Sequence, residues 1–103
     1  QKIPSAYPRR FVAEAMLLDR IGNRTASDRV IGELKARLND LANYELAQIY
    51  AQRGDADQAL VLLDTAWRDR DPNLAALAGD RLLDPVRRDA RFGTLVKRLN
   101  LPI

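Results

Sequence analysis

The sequence contains no cysteine and no histidine. Without cysteine no disulfide framework can form, and without either residue the usual thiolate and imidazole metal ligands are missing. The same two absences remove the commonest general base and the most reactive nucleophile, and no Gly-rich phosphate loop stands in for them. Aromatic residues are scarce, at 6%. No stretch alternates with period two long enough to suggest a sheet. No apolar run approaches the roughly 18 residues that span a membrane. The opening, QKIPSAYPRR, lacks the apolar centre of a signal peptide and an initiator Met. We therefore expect a non-enzymatic, cytoplasmic segment of a longer polypeptide, with no cofactor and no bound metal.

What remains is helix-forming material. The 103 residues are 47% hydrophobic and 30% charged, which suits one small domain with a single core. Ala and Leu dominate, and both favour helix. Net charge is +3, carried mostly by Arg. Acidic residues interrupt the Arg68-Arg70 and Arg87-Arg88-Arg91 clusters, so they read as mixed, solvated helix faces rather than a one-sided nucleic-acid stripe.

Apolar spacing and capping residues divide the chain into helices. The first is expected from about Pro8 to Ile21, with Phe11, Ala15 and Leu18 on one face and Val12 and Met16 beside them. Gly22-Asn23 would end it. Thr25 is the expected cap of a second helix, with Val30, Ile31, Leu34 and Leu38 as its stripe. Asp40 would cap a third, which stops at Gly54. Asp55 with Gln58 opens a fourth, burying Ala59, Leu62, Leu63, Ala66 and Trp67. Asp71-Pro72 starts a shorter helix to about Ala78, and Asp84-Pro85 repeats the signature for a single turn. Asp89 would cap a last helix with Phe92, Leu95, Val96 and Leu99 inward.

The turn glycines Gly22 and Gly54 lie 32 residues apart. Each follows a small residue by seven positions (Ala15, Ala47) and a large one by four (Leu18, Tyr50). A period near ~34 residues marks a helix–turn–helix solenoid. Leu46, Ala47, Tyr50, Gly54, Ala59, Leu63 and Ala66 carry the spacing of the tetratricopeptide repeat family, which the chain resembles. Pro72 comes one residue later than that family's closing proline. The first repeat is degenerate, with Ser27 where the second has Ala59. The resemblance implies an all-α, right-handed stack of helical hairpins: a degenerate repeat over 8–38, a clear one over 40–72 and a C-terminal cap over 73–103. The tail DPNLAALAGDRLLDPVRRDARFGTLVKRLNLP also resembles endings found after such arrays in bacterial cyclases, transcription regulators and kinases. A solenoid must cover its last apolar face, which gives such a tail a capping role.

In this family peptides bind a groove lined by the first helices. The matching positions here are Val12, Met16 and Asp19 in the first hairpin, and Leu41, Tyr44, Gln48 and Ala51, with Gln52 nearby, in the second. The resemblance implies a protein or peptide partner, or a second copy of the chain. The alternative is that these residues pack against further repeats. The family's Lys and Asn carboxylate clamp has no counterpart, since Val12, Met16, Tyr44 and Gln48 occupy its positions. A DNA-reading helix-turn-helix is disfavoured because Asp55–Trp67 holds Asp but no Lys or Arg. Asp55/Asp57 and Asp69/Asp71 lack the further ligands of a calcium loop. Two other roles stay open: a purely structural cap, and a small-ligand sensor with Gln48 and Gln52 as its polar groups.

Overall fold

Gly22 and Gly54 both take left-handed backbone, at φ 84° and 83°, and each turns one helix into an antiparallel neighbour. The computed structural model describes residues 7–38 and 42–99, which form α1 (Tyr7–Arg20), α2 (Arg24–Leu38), α3 (Asn43–Gln52), α4 (Ala56–Arg68), two 3-10 helices (Pro72–Gly79 and Arg81–Val86) and α5 (Ala90–Leu99). The described residues contain no strand, and no helix among them is long and apolar enough to cross a membrane. The all-α expectation therefore holds. Asp40 and Leu41 lie outside the described residues.

Three helix ends close alike. The amides of Asn23, Asp55 and Asp71 donate to the carbonyls of Leu18, Tyr50 and Ala66, all at 2.9 Å. This is the six-to-one closure of a helix that ends on a left-handed residue. At the third site that residue is not glycine but Arg70, at φ 58°.

Helix starts differ in part from expectation. Asn23, not Thr25, caps α2, because its side-chain oxygen accepts from the Ala26 amide at 3.1 Å. Asp55 caps α4 through the Gln58 amide as expected. The second 3-10 helix is capped by Asp80 on the Leu82 amide, which leaves Asp84-Pro85 inside it. Asp89 accepts from the Arg91 amide at the start of α5.

α1 packs on α2, and α3 on α4, as two hairpins. α3 is the hub: α1 lies against one side of it and the second 3-10 helix against another. One core cluster joins Val12, Ala15, Ile31, Leu34 and Leu38 to Leu46 and Ile49 of α3. The other joins Tyr44, Ala47 and Ala51 to Ala59, Leu63 and Ala66 of α4, and on to Leu74, Leu77, Leu83, Val86, Phe92 and Leu95. The small residues Ala15, Ala47, Ala59 and Ala66 are fully buried where helices approach. Trp67 packs at the edge of the second cluster, with the Arg98 guanidinium 5.0 Å above its ring.

Candidate functional site

Tyr44, Gln48 and Gln52 follow one another at four-residue steps along α3, so they share one helical face. The chain's own C-terminal segment crosses that face. The Tyr44 hydroxyl donates to Asp80 Oδ2 at 2.5 Å, and Gln48 Nε2 donates to the same oxygen at 2.7 Å. Gln52 Nε2 donates to the Leu82 carbonyl at 2.9 Å. Burial, then the bond to Asp80, pushes the Tyr44 phenol well above its ordinary value, so it stays a donor. Arg87 also braces the segment, donating to the carbonyls of Ala78 (2.6 Å) and Asp80 (2.8 Å) while lying over the Phe92 ring.

Where α1 meets α3 the same side opens into a cleft of about 200 Å3, lined by Met16, Asp19, Arg20, Arg24, Gln52 and Arg53. Arg53 forms its inner wall, with a side chain only 7% exposed. Its guanidinium reaches Asp19 at 2.9 Å, Asp28 at 2.8 Å and the Ser27 hydroxyl at 2.7 Å, and it lies over the Tyr50 ring. Ser27 in turn donates to the Ala15 carbonyl at 3.0 Å. The serine that breaks the small-apolar pattern is thus a fully buried, fully bonded contact between the hairpins. Asp19 Oδ1 meets Arg24 Nε at 3.3 Å as an ion pair, without hydrogen-bond geometry. Arg20 makes no ion pair with any described residue.

The eight candidate residues therefore divide. Met16, Asp19 and Gln52 converge on the open cleft. Tyr44 and Gln48 are engaged by Asp80. Val12 and Ala51 are buried in the two core clusters. Leu41 lies outside the described residues. Sequence reasoning missed the cleft's arginines and the role of Asp80. One signal was present: Asp19 and Arg53 are 34 residues apart, and so are the paired Asp57–Arg91 and Asp64–Arg98.

Two other features bear on chemistry. A wider trough of about 410 Å3 runs between α4 and α5, with Leu60, Val61 and Leu95 below and Arg68, Arg91 and Arg98 around it. Those arginines are paired with Asp57, Asp64 and Asp89. Glu45, in the first turn of α3, is 8% exposed. It accepts from Asn73 Nδ2 at 3.1 Å through one oxygen, while Oε1 has no hydrogen-bond partner. Burial raises its pKa, and Asp71 adds to the rise against the opposing pull of backbone bonding and Arg9. Among the described residues no group of three or more acidic side chains is placed to hold a metal ion. Comparison with known proteins returned no matching family model, no matching curated protein and no matching solved structure.

Proposed function

We propose that this chain is a protein-interaction module made of tetratricopeptide-like hairpins in a right-handed stack, and that it forms the C-terminal regulatory part of a larger bacterial signalling protein. The two antiparallel hairpins, each turned at a left-handed glycine and packed together through α1 and α3, support the repeat reading. The parent's identity rests on the resemblance of the tail alone.

One observation carries the interaction reading. The face of α3 already grips a stretch of polypeptide, taking the Asp80 carboxylate on Tyr44 and Gln48 and the Leu82 carbonyl on Gln52. The same face continues past Gln52 into the open cleft beside Met16. Side-chain amides that hold a main-chain carbonyl, next to a pliable thioether, are the elements of a peptide-binding surface. A partner would enter at the α1 end, since the α3 end is filled.

Selection from a displayed random-peptide library tests this. Wild-type protein should enrich binders, and Met16→Glu should lose them while keeping a cooperative thermal transition, at a lower temperature because Met16 also packs against the first core cluster. Binding that survives Met16→Glu would sink the assignment of this cleft. The purely structural role has its own support, since Leu77, Leu83 and Val86 are essentially fully buried against the second hairpin. It predicts that no peptide is enriched.

A further inference from the structure

The cleft at the junction of α1 and α3 has more positive than negative charge to offer. Arg20, Arg24 and Arg53 line it against the single carboxylate of Asp19. Arg53 is committed, because Asp19, Asp28 and Ser27 take up its guanidinium. Arg24 is not: only its Nε meets Asp19, at 3.3 Å, and its side chain is 60% exposed. Arg20 has no ionic partner among the described residues and is exposed. Two guanidinium groups at the mouth of one cleft thus keep free donors, and guanidinium donors fit carboxylates two at a time.

The neighbouring part of the same face independently shows what it accepts. There the occupant is the run Asp80-Arg81-Leu82, held by its acidic side chain and by a main-chain carbonyl two residues on. Asp80 itself is extended, with φ −79° and ψ 110°, and Arg81 and Leu82 begin the second 3-10 helix. We propose that the partner segment taken by the α1/α3 cleft is an acidic peptide. It would place a carboxylate between Arg20 and Arg24, an apolar side chain on Met16, and its backbone in line with the Asp80–Leu82 segment. This rests on the groove reading above and specifies its ligand. The residues that do the work are not those of the family's carboxylate clamp, whose positions hold Val12, Met16, Tyr44 and Gln48. Arg20 stands at the end of α1 and Arg24 at the start of α2. The Gly22 turn between them brings both cations to one end of the groove.

The composition of peptides enriched from the displayed library decides the matter. Asp and Glu should dominate beside a large apolar residue, and added salt should weaken binding. The double variant Arg20→Glu/Arg24→Glu should bind the enriched peptides about tenfold more weakly or worse. Arg20→Gln/Arg24→Gln should fall between and stay close to the wild type in melting temperature, while the double-Glu variant should melt somewhat lower because Arg24 faces Asp19. Neutral or basic enriched peptides would overturn the acidic ligand. So would acidic peptides that bind the double-Glu variant unchanged. In either case the groove reading stands if Met16→Glu still abolishes binding. Failure to enrich any peptide overturns both.

Discussion

Arg70 ends α4 in left-handed backbone, at φ 58°, where the two hairpin turns use glycine. A Cβ in that region meets the following carbonyl, and glycine avoids the clash. No described residue pairs with the Arg70 side chain, so it offers nothing to offset the strain. Arg70→Gly should raise stability by about 0.5–1 kcal/mol, read as a higher urea midpoint. A lowered midpoint would mean that the guanidinium has a role the fold does not reveal. Glu45 is the other residue under tension. Its folded pKa lies above the ordinary carboxylate value, so the folded state holds the proton more tightly than the unfolded chain. Stability is then lost as pH rises from the unfolded pKa through the raised one, and stays lower above it. Glu45→Gln keeps an acceptor for Asn73 and never ionises. It should gain about 1 kcal/mol at neutral pH, and the gain should shrink on acidification. Melting curves between about pH 4 and about pH 7 would record it. A gap independent of pH would refute the ionisation argument.

Between elements, the contact that ties the first hairpin to the second is polar as well as apolar. Arg53 at the end of α3 holds Asp19 of α1 together with Ser27 and Asp28 of α2. Removing one partner of a buried ion pair strands the others, which costs about 3 kcal/mol where the survivors are desolvated. Asp28 is exposed and Asp19 keeps Arg24, so Arg53→Ala should cost about 2 kcal/mol. The loss should appear as faster amide exchange in α1 and α2 than in α4. Equal acceleration in all four helices would argue against an inter-hairpin role. Capping shows where local rules compete. Thr25 was the expected cap of α2, but the chain leaves the Gly22 turn so that the Asn23 side chain accepts from the Ala26 amide instead. The acid and proline signatures near Pro72 and Pro85 were legible as short helices. Their 3-10 winding was not, because it depends on fitting Leu74, Leu77, Leu83 and Val86 against α3 and α4.

For the molecule as a whole, residues 72–99 are part of the core rather than an appendage. Leu74, Leu77, Leu83, Val86, Phe92 and Leu95 cover Tyr44, Leu60, Leu63 and Ala66. Burying one large apolar side chain stabilises by about 1.5–3 kcal/mol, so losing this whole set exceeds the stability of an ordinary small domain. A chain ending at Asp71 should therefore show no cooperative thermal transition; a sharp one would show that the two hairpins fold alone. The sequence by itself determined the all-α class, the turns at Gly22 and Gly54 and most of the apolar faces. Those follow from backbone preference and from spacing within one helix, and both are local. Only the tertiary structure decided which candidate groove residues are open. Tyr44 and Gln48 are taken by Asp80, more than thirty residues further along, and the Gln52 amide by the Leu82 carbonyl, while Met16 meets three arginines from separate elements around one cleft. Such meetings depend on how helices pack, and no pattern confined to a single helix encodes them.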